Sequence, residues 1–255
     1  EREFNVADFL KVQALDVVSG NWDGYAGNKN NFYLYHNPQT GLFEYIPYDL
    51  DNTWGIDWLN QEWETRDPYT WSTEYRPLYD RLMAVPEYRE WYTYYLRKMM
   101  DEWAHPDSVM AYLEPRHALL QPAIASDAYY PLSFGFTTQN FEESLEQASG
   151  GHVEFGILPW LETRLNSLET QFDPEVPVLV VHEVEDNAPV LDSLRVRAIV
   201  DGGGDEVEVT CWIDAGGGPV SHAMYDDGEH SDRKAGDGTW GIKIPVQSNW
   251  PATVT

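Results

Sequence analysis

One cysteine, Cys211, stands alone in 255 residues. A single thiol excludes an intrachain disulfide framework and by itself neither requires nor forbids secretion. It falls in an alternating apolar pattern, which reads as a small core residue. Cations are scarce too: 16 Lys and Arg, only five of them Lys, face 43 Asp and Glu, for a net charge of −27. Such a surface repels nucleic acid and anionic membranes, so neither partner is expected. It suits basic protein substrates, divalent cations or a salty surrounding, although solubility in a saline or extracellular setting accounts for the excess on its own. No apolar run approaches the length of a membrane span, which argues against membrane insertion. His105, His117 and His152 are scattered without metal-ligand pairing, so no zinc site is expected. Nor is there an internal repeat or a long low-complexity tract.

What is present centres on residues 21–55. Two alternating aromatic-rich runs, 31–35 and 43–48, are joined by a His-Asn-Pro-Gln-Thr-Gly turn, the pattern of a β-hairpin. Acidic and amide residues flank both strands. Asp23 lies in a Gly/Asn-rich loop before the first strand, Asn31 opens that strand, and Asp49 and Asp51 close the second. A short hairpin begins and ends at one edge, so Asp23, Asn31 and Asp49 are brought to the same end. That layout suits phosphoryl transfer, in which a loop Asp takes the proton of the attacking hydroxyl while strand-end oxygens hold magnesium. Asp and Asn also favour turns for purely local reasons. The Asp-Leu-Asp sequence, however, follows a buried-looking strand instead of sitting at a turn tip.

These pieces resemble the CotH kinase family of atypical, secreted or spore-coat protein kinases. The likeness is carried by Asn21-Trp22-Asp23, by residues 30–35 (Asn-Asn-Phe-Tyr-Leu-Tyr) and most specifically by residues 46–55 (Ile-Pro-Tyr-Asp-Leu-Asp-Asn-Thr-Trp-Gly). It continues through Arg76-Pro77-Leu78, Leu82–Tyr88, the aromatic helix ending at Trp103, and Arg164, covering residues 1–172. The resemblance implies Asp23 as the catalytic aspartate, Asn31 as the metal-binding asparagine, and Asp49 as the magnesium aspartate supported by Asp51. It implies Mg2+ and ATP as cofactors. Kinase spacing places the Asn five residues after the Asp, at Asn28. Asn31 directly precedes the apolar strand, as the metal Asn does, and is assigned with a three-residue loop expansion; Asn30 is the neighbouring alternative. Nothing before Asp23 supplies a Gly-rich loop or a strand Lys, since Lys11 falls in a helical pattern. The chain therefore reads as a large lobe that begins partway through a domain, its small lobe upstream or on another chain.

Apolar spacing predicts a helix over 5–19 with Asn5 as cap and Gly20 as stop. Residues 56–73 show weak periodicity. Their Trp58, Trp63 and Trp71, with Trp54, offer either a peptide or sugar platform or core packing, and Asp57 is expected at the surface. Residues 74–103 read as two helices broken near Pro86, with Leu78, Leu82 and Val85 on one apolar face and Trp91, Tyr94, Tyr95, Met99 and Trp103 on the next. Further helices are expected over 108–120 and 156–172, the latter carrying Arg164 toward a buried acidic partner.

Composition changes at Asp173. Short β-like runs at 176–184, 194–200, 207–213 and 240–244 predict an immunoglobulin-like β-sandwich, cut short at Thr255 where a last strand is expected. In its Met224–Gly238 stretch, Asp226, Asp227, Glu229, Asp232 and Asp237 have the composition either to wrap Ca2+ or to form a hydrogen-bonded turn network. The expected organisation is thus α+β. A mostly helical, kinase-like C-lobe with a catalytic hairpin spans 1–173, and an all-β immunoglobulin-like module spans 174–255. The expected activity is transfer of the γ-phosphate of ATP to Ser or Thr of an extracytoplasmic, cell-surface or spore-coat protein. The competing expectation is a non-catalytic structural or adhesive scaffold that meets coat or extracellular matrix proteins.

Overall fold

The computed structural model describes residues 3–38, 41–72, 74–132, 134–172, 178–185, 193–201, 207–214 and 216–246. Mixed helix and strand divide into two compact units, Glu1–Asp173 and Pro174–Thr255. The seam at 173–177 and the last strand expected at 250–255 lie outside the described residues.

In the first unit, α1 (Val6–Ser19) starts where the Asn5 side chain accepts from the Asp8 amide and ends at Gly20 in a left-handed turn, φ 74°. Gly20 has no alternative there: a Cβ would lie 2.3 Å from Trp160 Cζ2. The helix buries Phe9, Leu10, Ala14, Val17 and Val18, but also Gln13 and Asp16, on its inner face. It packs against α4 (Pro86–Glu102), which buries Trp91, Tyr92, Tyr94, Tyr95, Leu96 and Met100. Each such side chain taken from water contributes roughly 1.5–3 kcal/mol. Between them run α2 (Tyr25–Asn28), the hairpin β1 (Phe32–His36) and β2 (Phe43–Pro47), a 3-10 turn at Pro68–Thr70, and α3 (Pro77–Met83). The hairpin is antiparallel, with Phe32 opposite Pro47 and His36 opposite Phe43. The unit closes with α5 (Pro106–Ser126), α6 (Thr138–Glu143) and α7 (Ile157–Gln171). Among the described residues no helix is long and apolar enough to cross a membrane.

Several side chains sit elsewhere than their spacing suggests. Trp103 caps α4 one residue beyond its last turn and is 73 % exposed. Val85 is the cap before α4 and is exposed, while Tyr79 and Met83 share the buried face of α3 with Leu82. The third long helix runs through Pro115 and Pro122 to Ser126 and buries none of its residues. Trp63 and Trp71 belong to the core and cannot form a surface platform. Trp54 meets Trp160 edge to face, leaving Trp58 at the surface. Asp57 is buried, because its carboxylate accepts from the Leu59 and Gln61 amides and from Trp63 Nε1. Arg164 is fully buried but pairs with no acid among the described residues. Its guanidinium donates to the carbonyls of Val17 (3.0 Å), Arg66 (2.7 Å) and Glu64 (3.4 Å) over the Trp71 ring, and burial pulls its pKa down to about 10.

The second unit is built of strands. β3 (Val178–Glu185) pairs antiparallel with β4 (Ser193–Asp201), with a register slip between Val180 and His182, and β4 pairs antiparallel with β7 (Thr239–Pro245). β5 (Thr210–Asp214) and β6 (Pro219–Ala223) form a separate antiparallel ribbon. Val196, Ala198, Val209, Ile213, Met224 and Ile244 make its core, and Cys211 packs partly buried against them. The strand Pro219–Ala223 escapes the sequence pattern because nearly all of it is exposed.

Candidate active site

Asn31 and Asp49 mark one end of the hairpin. The Tyr48 amide donates to the Asn31 carbonyl at 2.9 Å, one step beyond the Phe32–Pro47 pair, so the two residues leave the ribbon side by side. Both take positive φ, 54° and 52°. Asn and Asp are the non-glycine residues that best tolerate this left-handed region, and such backbone strain clusters at functional sites.

Asp23 comes to the same place from the other side. Its carboxylate accepts from Asn28 Nδ2 (2.6 Å), Asn31 Nδ2 (3.0 Å) and Asn52 Nδ2 (3.2 Å). Both spacings weighed for the asparagine therefore converge on Asp23, while Asn30 is exposed. Asp51 completes an acidic group. Its carboxyl is held above the usual carboxylate range by partial burial, then by the charge of Asp49 and a hydrogen bond with it, then by the charge of Asp23. Among the described residues no group of three or more His, Cys, Asp or Glu is placed to hold a metal ion. The donors gathered here are of another kind, the Asn31 amide with the carboxylates of Asp49 and Asp51. With its Nδ2 committed to Asp23, Asn31 retains a carbonyl oxygen as acceptor. Hard oxygens with surplus negative charge are what magnesium takes, and it needs few protein ligands because it keeps its waters.

The loop holding Asp23 is fixed from below. The Asp23 amide donates to Asn21 Oδ1 (3.1 Å), and Asn21 Nδ2 donates to Asp16 Oδ1 (2.8 Å). Trp71 Nε1 donates to the Asn21 carbonyl at 3.1 Å. Arg76, 3 % exposed, donates to the carbonyls of Tyr25 (3.1 Å) and Gly27 (2.7 Å) and so clamps α2. Sequence reasoning missed Asp16, Asn21 and Asn52. The first had a signal, since two polar residues, Gln13 and Asp16, interrupt the apolar face of α1.

Asp16 is fully buried, and burial pushes its pKa from 3.8 up to about 7 against the smaller opposing donations of Asn21 and Gln13. A raised carboxyl pKa means that the folded chain holds this proton more tightly than the unfolded one. The contribution is therefore fully present below the unfolded value of 3.8 and is lost as pH rises from there through about 7, at up to about 1.4 kcal/mol per pH unit. Asp16→Asn removes that slope, so its stability relative to wild type is expected to grow from pH 4.5 to pH 7.5. Urea midpoints of the two proteins at both pH values test this. Parallel pH dependences would refute it.

The acidic stretch of the second unit is arranged as turns. Asp226 accepts from the Gly236 and Gly238 amides, both at 2.9 Å, and Asp237 from the Thr239 amide at 2.9 Å. Asp232 accepts from the Gly228 and His230 amides. Asp227 accepts from the Glu229 amide and pairs with the His230 ring, which holds its carboxyl below the usual range. Asp227 and Asp232 thus cap residues 228–230 together, and Asp226 and Asp237 cap residues 236–239, the arrangement of a turn network.

A lobe of helices around an Asp- and Asn-bearing hairpin makes the first unit a mixed helix-and-strand body. The chain belongs to the CotH kinase protein family, whose profile matches residues 1–149. It is 30 % identical over 132 residues to the inner spore coat protein H of Bacillus subtilis strain 168, covering 50 % of this chain and 34 % of that protein. It is 22 % identical over 183 residues to spore coat protein homolog 1 of Rhizopus delemar, covering 66 % of this chain and 30 % of that one. With the invasin CotH7 of the same fungus it shares 25 % identity over 168 residues, 62 % of this chain and 28 % of the relative. The chain thus spans about a third of the length of the curated relatives it matches.

Proposed function

We propose that this chain is the large-lobe portion of a protein Ser/Thr kinase that transfers the γ-phosphate of ATP to a coat or cell-surface protein. The observation that carries the reading is the Asp23 carboxylate, oriented by three amide donors and set beside Asp49 and Asp51. Asp23 orients the acceptor hydroxyl and takes its proton as the oxygen attacks the γ-phosphorus and the bond to the bridging oxygen breaks. Asn31 and Asp49, supported by Asp51, are the residues that would hold magnesium, which supplies charge neutralisation on the phosphates. The second unit is an immunoglobulin-like module, and its turn network at Asp226–Asp237 is where any Ca2+ would bind. The protein acts outside the cytoplasm, on a coat or surface, the setting named by the spore-coat and invasin relatives.

Those same names favour a second reading, an adhesive or structural scaffold with a kinase-like lobe. Titration calorimetry of the full-length protein with Mg-ATP separates the two. The kinase reading expects binding that disappears in Asp49→Ala and when EDTA removes magnesium. No heat from wild type would leave the scaffold.

A further inference from the structure

Beside Asp23, on the Asn52 side, the first unit opens into a cavity of about 540 Å³. Asp51 and Asn52 line it, and Asn52 is bonded to the Asp23 carboxylate. Ile56, Trp58, Phe134, Phe136 and Val153 make apolar walls. A second cavity of about 240 Å³ continues it, sharing Asp51, Ile56, Phe136 and Asn140. The two form a trough in the size range of ligand sites with apolar walls and few polar groups.

The trough is built before anything enters it. The buried Asp57 carboxylate ties down the loop that carries Trp58 by accepting from the Leu59 and Gln61 amides. The opposite wall is joined to that loop by an Ile56–Val153 bridge and by the Asp57 amide donating to the His152 carbonyl at 2.8 Å. His152 lies flat on Trp58, ring centres 3.5 Å apart, and Phe134 approaches the same indole at 5.3 Å. Yet Trp58 is 42 % and Phe134 75 % exposed. Exposed aromatic surface on a loop already held by the Asp57 hydrogen bonds, as at Trp58, is what a binding partner covers at low ordering cost.

We propose that this trough takes the acceptor polypeptide, with its hydroxyl at Asp23 and a large aromatic or aliphatic side chain from a flanking position seated against Trp58 and Phe134. The assignment rests on the kinase reading for the word acceptor. A peptide fits better than a nucleotide, because among the described residues the lining holds no Lys or Arg to meet phosphate and includes Asp51. The apolar walls select an apolar side chain.

Fluorescein-labelled nonapeptides with a central Ser and alanine flanks, into which Phe is walked position by position, test this by anisotropy with the full-length protein. At least one register is expected to bind tenfold or more tighter than the all-alanine peptide, the factor that burying a phenyl ring supplies. Trp58→Ala and, independently, Phe134→Ala should erase that gain. Trp58→Phe should keep most of it. The proposal is overturned if no register exceeds the alanine peptide, or if both alanine variants bind as wild type does. It is equally overturned if Arg at the best position binds as well as Phe, or if magnesium-free ATP displaces the peptide. Phosphate transfer to the best peptide is scored separately. Binding without transfer sinks the kinase reading and leaves a peptide trough; transfer without register preference sinks the trough and leaves the kinase.

Discussion

Asp23→Asn in the full-length protein is expected to lower magnesium-dependent phosphate incorporation by about 10²- to 10⁴-fold, the range that a positioned general base supplies. Three amide donors, from Asn28, Asn31 and Asn52, point at the two carboxylate oxygens, so the native residue is oriented as well as charged. An Asn at position 23 cannot take up the hydroxyl proton. It also turns an NH2 group toward at least one of those donors, which misplaces the side chain. Asp23→Ala should fall as far, which separates lost chemistry from a rearranged amide. Asp23 is half-buried and holds no ion pair among the described residues, so the thermal midpoint should move little. Incorporation of labelled phosphate, measured beside thermal melts, decides the matter. Full activity in either variant would remove Asp23 from the role proposed for it.

The largest loss of stability is expected from Trp71→Ala. The indole is fully buried, lies 5.1 Å from the Trp63 ring and 5.1 Å beneath the Arg164 guanidinium, and donates to the Asn21 carbonyl. Truncating a buried Trp costs roughly 3–5 kcal/mol, and the carbonyl left without its donor adds about 1 kcal/mol or more. Against a domain stability of about 5–15 kcal/mol, that is enough to leave the first unit marginal. Trp71→Phe keeps a ring but loses the N–H, so it should fall between the two. Because the stranded carbonyl belongs to Asn21, whose side chain holds the Asp23 amide, the variant should also transfer phosphate more slowly than its folded fraction alone accounts for. Chemical denaturation checks the first expectation. A midpoint for Trp71→Ala within experimental error of wild type would refute it.

The hairpin was legible because its determinants are local. Period-two aromatics and a Pro-Gly turn fix the strands, and strand geometry brings Asn31 and Asp49 together whatever surrounds them. The caps of α1 at Asn5 and Gly20 are equally local. What could not be read depends either on how a loop folds back on itself or on distant parts of the chain. Asp57 looked like a surface residue because its partners are the amides of its own loop, and only the folded loop presents them. Arg164 suggested an acidic partner because a buried cation ordinarily needs one; the carbonyls of Val17, Glu64 and Arg66 share that task instead. Asn52 reaches Asp23 across 29 residues, and Asp16 supports the loop only through Asn21. Spacing also overstates burial at helix ends, as Trp103 shows, and stops too early at proline, since α5 carries Pro115 and Pro122 within it.

The left-handed backbone at positions 31 and 49 has an evolutionary corollary. Glycine would relax the main chain at either position but forfeits the oxygen; glutamate or glutamine would keep an oxygen but resists the conformation. Fold and the proposed chemistry thus demand the same short side chains for unrelated reasons, and under that proposal drift at these two positions is closed off from both directions.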